Sequence, residues 1–168
     1  MQSILITLKL LVSFYSNSIV DAHGDTIHFS SFANKKVLIV NTSVTTADTA
    51  QYGKLEQVYQ KYKDSLVIIA FPSDDFGHAG MDIDSISSFV SSHYNIHYIL
   101  ASKVSVKGIG ISPIYSWLAD ITKNGMMDSE VKSDYYKYLI NKDGMLVGIF
   151  SRSVDPAGIK LESAVEQL

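Results

Sequence analysis

Over residues 36–62, KVLIVNTSVTTADTAQYGKLEQVYQKY, an unbroken apolar run, a polar stretch and a periodic stretch follow one another. Val37, Leu38, Ile39 and Val40 show no alternation, as in a strand covered on both faces. Leu55, Val58, Tyr59 and Tyr62 recur at i, i+3, i+4 and i+7, which places them on one helix face that must cover a sheet. A second unalternating run, LVIIAF at 66–71, completes a strand–helix–strand unit, so the two strands are predicted parallel with a right-handed crossover. The polar stretch 42–48 then lies at the carboxyl end of the first strand and opens onto a helix N-terminus, where ligands gather in open α/β sheets. Asp48 or Thr49 is the expected N-cap, with Asp48 and Gln51 spaced as a capping-box variant.

Residues 1–12, MQSILITLKLLV, are apolar with Lys9 inside the run, no small-residue cleavage motif follows, and the run is too short to span a bilayer as a helix. A short element lying on the domain and a cleaved signal or lipid-proximal anchor both stay open. Residues 17–29 alternate about His23-Gly24-Asp25, which predicts a small hairpin flanking the sheet. The Asp- and Gly-rich stretch 72–80 predicts a loop at the same sheet edge as 42–48. Asp84 is the expected cap of a helix with Ile86, Phe89 and Val90 inward, ending near His93 with Asn95 left-handed. A short strand is expected at 98–101. Ser112-Pro113 starts a helix with Ile114, Trp117, Leu118 and Ile121 on one face, closed by Gly125. Residues 136–140 and 145–150 flank Asn141-Lys142-Asp143-Gly144 as a hairpin. Asp155-Pro156 repeats the cap-then-Pro signal for a last helix with Ile159, Val165 and Leu168 inward.

A length of 168 residues makes one domain, residues 13–168, behind the apolar segment 1–12. The hydrophobic fraction of 46% and charged fraction of 18% place it among ordinary globular chains. A formal charge of −3 leaves no footprint for nucleic acid. The absence of cysteine excludes disulfides, thiolate metal sites and a cysteine nucleophile, and leaves the compartment open. His93 and His97 could share one helix face as metal ligands, but a helix ending at Tyr94-Asn95 separates them, so solvated or strand-packed histidines are expected. Ser73, Asp75 and His78 supply hydrolytic-triad types within one short loop, too close in sequence to orient one another. Tyr135, Tyr136 and Tyr138 are most simply strand packing.

Four blocks in this order and spacing, KVLIVNTSVTTADTAQY, YKDSLVIIAFPSDDFG, VSVKGIGISPIYSWLADITKNG and YYKYLINKDGMLV, resemble the glutathione peroxidase family of thiol and selenol peroxidases. The resemblance implies an α/β, thioredoxin-like fold: a central mixed β-sheet with helices on both faces. It also implies where the family's catalytic residues fall. The peroxidatic cysteine or selenocysteine falls on Thr46, the glutamine on Asp75, the Trp-Asn pair on Ser133 and Asp134, and the optional resolving cysteine near Val90. On the family's geometry Asp75 and Asp134 would face Thr46 and oppose a thiolate there. The framework stays: Asn41, Phe71-Pro72, Phe76-Gly77, Trp117-Leu118 and Lys137-Tyr138-Leu139.

Peroxide reduction needs a two-electron donor that becomes a sulfenic acid and is reduced back, and a threonine hydroxyl offers neither step. Thr46 is expected to be a loop hydroxyl bonded to nearby backbone. Two functions follow: a catalytically degenerate homologue with a binding or scaffold role toward a protein or small-molecule partner, or an oxidative-stress enzyme still acting through Asp75, Asp134 and Thr46. Glutathione or thioredoxin would be a partner only in the second. No cofactor is expected. Asp74, Asp75 and Asp134 could gather a hard cation, but without EF-hand-like spacing they are expected to splay apart. A monomer is expected, because residues 112–133 are short and polar, and the expected location is cytoplasmic, with export or membrane association through residues 1–12 as the alternative.

Overall fold

The computed structural model describes residues 12–77 and 80–167. The expectations for residues 1–11, His78 and Leu168 lie outside them. A short hairpin, β1 (Ser18–Val20) with β2 (Thr26–His28), precedes the main sheet. β3 (Lys36–Thr42), α1 (Ala50–Tyr62) and β4 (Leu66–Pro72) form the expected parallel unit, with Val37 opposite Val67 and Asn41 opposite Phe71. Then come α2 (Ile83–Tyr94), β5 (Ile99–Leu100), α3 (Pro113–Ala119), α4 (Ile121–Asn124), the antiparallel pair β6 (Lys137–Ile140) and β7 (Leu146–Phe150), and α5 (Ile159–Gln167). The strand order β5-β4-β3-β6-β7 makes a mixed five-stranded sheet.

Alternation along the central strands divides the core. Leu38, Val40, Ile68, Ala70 and Leu139 meet Leu55 and Val58 of α1, Ile86 and Val90 of α2, and Leu161 and Val165 of α5. Val37, Ile39, Ile69, Phe71, Tyr138 and Ile140 meet α3 and the N-terminal aromatics Phe14, Phe29 and Phe32 on the other face. Trp117 packs on Phe14 and donates its indole N–H to Val12 O at 2.7 Å, which anchors the start of the described chain to α3. The sheet is therefore covered on both faces, and its central strands need no polar side.

Several helix ends differ from expectation. Asp82 caps α2, accepting from the Ser85 amide at 2.7 Å, while Asp84 lies in the first turn, where its charge suits the helix dipole. The C-terminal end is as expected, with Asn95 at φ 47°. No side chain caps α1: the Asp48 carboxylate pairs with Arg152, and Gln51 Nε2 donates to Arg152 O at 3.2 Å. The Ser112 side chain makes no capping bond either. The helix after it breaks at Asp120, where ψ is 110°, so Ile121 leaves the inward stripe and is exposed. After Asp155-Pro156 the chain makes a turn, with Asp155 accepting from the Ala157 amide at 3.0 Å, and α5 starts only at Ile159. Ile159 is 84% exposed, and Leu161 packs in its place.

Candidate functional site

The carboxyl end of β3 is organised by Asn41, which is fully buried. Its Nδ2 donates to Ser133 O at 3.0 Å and its Oδ1 accepts from the Tyr136 amide at 3.0 Å, while its carbonyl accepts from the Tyr135 amide at 2.7 Å. One asparagine thereby fixes residues 133–136 beside the loop after β3. Tyr135 is held at φ 57°, a left-handed conformation that a bulky residue adopts only where neighbours over-determine it. Its hydroxyl donates back to Ser43 O, closing the clamp. Ser43 in turn accepts from the Thr45 amide at 3.3 Å.

Thr46 sits inside this clamp. Its Oγ1 is buried and near enough to the Tyr135 hydroxyl to favour that group's ionised form, yet the contact misses hydrogen-bond geometry. Tyr52 packs edge-on to Tyr135, ring centroids 6.1 Å apart, and its hydroxyl faces Thr42 Oγ1 in the same loose way. Burial pushes both phenols far above their usual range, and Asp134, itself buried, pushes them further in the same direction. Both stay neutral across physiological pH and cannot serve as bases. Among the described residues, no histidine or carboxylate is hydrogen-bonded to Thr46 Oγ1 as the adjacent base that nucleophilic catalysis needs.

The positions singled out in the sequence take different hydrogen-bond partners. Ser133 lies at the clamp with its Oγ donating to Asp134 O at 3.1 Å, and Asp134 is buried beside Tyr52 and Tyr135. The Asp75 carboxylate accepts from Ser105 Oγ at 3.0 Å, the Val106 amide at 2.5 Å and the Lys107 amide at 3.2 Å, three donors from a loop remote in sequence. Asp74 pairs with Lys103, so these two neighbouring carboxylates take separate protein partners, and no group of three metal-ligating side chains occurs among the described residues. Val90 is buried in the core on α2. His93 stacks on Phe89 with ring centroids 4.3 Å apart, whereas His97 pairs with Glu56 at 2.8 Å, so the two histidines are separated as expected.

Sequence reasoning missed a cleft of about 680 Å³ between the start of α1, the approach to β6 and the β7–α5 connection. Ala47, Asp48 and Ser133 form the side toward the clamp, and Lys54, Lys132 and Arg152 supply positive charge. Arg152 is paired with Asp48, and Lys54 with Asp155 at 2.6 Å; Lys54 holds the Asp155 carboxyl below the usual range. Beneath it Lys137 is buried, its Nζ donating to Tyr135 O at 2.8 Å; burial pulls the ammonium down to about 8 against the attraction of Asp155 and Asp48. These cations come from four separate elements or connections, so no local spacing announced them.

A mixed five-stranded sheet covered on both faces, with a clamp built on Asn41 at the carboxyl end of β3 beside a ligand-sized cleft, defines the class: a thioredoxin-fold protein. The glutathione peroxidase family model matches residues 14–119. The chain is 33% identical over 157 residues to glutathione peroxidase-like peroxiredoxin 1 of Saccharomyces cerevisiae, covering 92% of this chain and 93% of that one. It is 30% identical over 160 residues to glutathione peroxidase of Lactococcus lactis, covering 94% and 99%. Among solved structures it is similar to Trgpx in its apo form, with a TM-score of 0.71 and 29% identity over 93% of this chain and 97% of that one. The chain belongs to the glutathione peroxidase family, and it holds no cysteine with which to perform that family's thiol chemistry.

Proposed function

We propose that this chain is a non-peroxidatic member of the glutathione peroxidase family, which keeps the fold and the cleft beside the former active site for binding a protein or small-molecule partner. What supports the reading is the absence of cysteine from a chain of a family whose chemistry needs a thiol or selenol; the resemblance gives the nucleophile's position to Thr46, whose hydroxyl has no hydrogen-bond partner among the described residues. The cleft supports a binding role, since its volume lies within the range of about 300–1,000 Å³ typical of ligand sites. Against the enzymatic alternative stands Asp75, whose carboxylate is already engaged by three donors of residues 105–107. Steady-state turnover of hydrogen peroxide and a lipid hydroperoxide, with glutathione or thioredoxin as reductant, is the test. Rates equal to the protein-free control support the reading, and saturable turnover overturns it. The expected cytoplasmic location belongs to the same reading. Among the described residues no helix is long and apolar enough to cross a membrane. A reporter fused after residue 12 that is exported would refute that location.

A further inference from the structure

The amino ends of β3 and β4, at the opposite end of the sheet from the cleft, border a second cavity. β5 pairs only with Ile69 and Ala70 of β4, so Leu66, Val67 and Ile68 have strand partners on the β3 side alone. Beside that stretch lies a groove of about 280 Å³, bounded by β4, the approach to β5 and the last turns of α1. Phe32, Tyr59, Leu66, Val67 and Ile99 give it apolar walls. One wall is fixed in place: the Tyr98 hydroxyl donates to Tyr52 O at 3.2 Å, and the Tyr59 ring meets the Tyr98 ring with centroids 6.3 Å apart. The groove thus exists before anything enters it, which lowers the cost of filling it.

Charge tells what it fits. Lys35, Lys63 and His97 stand at its mouth, and no carboxylate is among the residues that line it. His97 is matched by Glu56 at 2.8 Å, whereas neither lysine has an acidic partner among the described residues. Lys54 and Arg152 of the large cleft, and Lys103 beside the loop 105–112, are by contrast each paired with an aspartate. α1 ends at Tyr62, and the partial negative charge of that helix end offsets about half of one lysine, so the mouth stays positive. At about 30 Å³ per water-sized group the groove has room for roughly nine such groups, the size of a medium-chain acid.

We propose that this groove is a binding site for a small amphipathic carboxylate, whose apolar body lies against Phe32, Tyr59 and Val67 and whose head pairs with Lys35 and Lys63. Two ammonium groups facing one carboxylate supply charge-assisted hydrogen bonds, and the apolar walls select a guest with a hydrocarbon body over a bare anion. The site stands apart from the cleft, and it holds or fails independently of the reading given above.

Amide-resolved NMR titration of the full chain with sodium octanoate to about 5 mM tests this, since a guest of about ten heavy atoms binds in the sub-millimolar to millimolar range. The expected result is saturable shifts confined to residues 35, 59, 63, 66–68 and 97–99. Octan-1-ol and octylammonium, of the same length without the negative charge, should bind about tenfold more weakly or less. The double variant Lys35→Gln, Lys63→Gln should weaken octanoate by about tenfold or more and leave octan-1-ol unchanged, a split that a general loosening of the fold would not produce. Lys63 is exposed and Lys35 half-buried, and neither side chain has a partner among the described residues, so the variant keeps the core intact. No saturable shift with octanoate, shifts centred on the cleft around Arg152, or an octanoate affinity that the double variant leaves unmoved would each overturn the proposal.

Discussion

Lys137 shows how a single residue records the remodelled site. Its ammonium is buried with one carbonyl partner and titrates at about 8 against an ordinary 10.5, with burial as the main cause. Between those values the unfolded chain binds the proton that the folded chain has released, so stability rises with pH, by about 3 kcal/mol at most. Burial moves Tyr52, Tyr98, Tyr115, Tyr135 and Tyr138 the other way, Tyr138 to about 12. Their contribution is complete below pH 10 and declines above it, because the unfolded phenols ionise first. Urea unfolding should therefore show stability increasing from pH 8 to 10 and decreasing beyond, and Lys137→Met should abolish the increase while leaving the decrease. A second residue-scale expectation concerns Thr46→Cys. The new thiol would stand beside the neutral Tyr135, with no cationic partner among the described residues, and so should titrate at or above about 8.5, the free-thiol value. Its alkylation rate against pH measures this, and a midpoint near 7 would show a cationic or hydrogen-bonding group that activates the thiol.

At the scale of elements, the β6–β7 hairpin depends on its turn glycine. Gly144 has φ 79°, and a Cβ there would lie 2.8 Å from Tyr15 Cε2, in a ring whose hydroxyl is tied to Lys142 O at 2.6 Å. Gly144→Ala should destabilise by on the order of 2 kcal/mol in urea unfolding, combining left-handed strain with displacement of Tyr15. The loop 105–112 depends likewise on Asp75. In Asp75→Ala the Val106 and Lys107 amides lose their acceptor, and their hydrogen exchange should accelerate more than that of β3 amides. The central strand–helix–strand unit was legible in the sequence because long apolar runs admit few alternatives. Helix ends were less so. Asp82 and Asp84 are equally plausible caps on paper, and only the reach of one carboxylate to the Ser85 amide separates them. The stripes through Ile121 and Ile159 ran past real helix ends, since sequence periodicity continues where the backbone turns away. Spacing alone assigned the family's site positions, but the partners of Asp75 were not legible in it, since they belong to a remote loop.

For the whole molecule, the retained framework and the altered chemistry have separate physical causes. The fold follows from apolar strands covered on both faces and from Asn41 tying residues 133–136 to the sheet, none of which involves a sulfur atom. The family's thiol chemistry requires one, and this chain has no cysteine to supply it. Single-turnover consumption of hydrogen peroxide by the purified chain, without any reductant, tests that claim most directly. A thiol or selenol peroxidase consumes one equivalent rapidly as its nucleophile is oxidised. The expected result is no consumption above buffer. A rapid stoichiometric loss of peroxide would contradict the assignment of Thr46 as a chemically inert replacement.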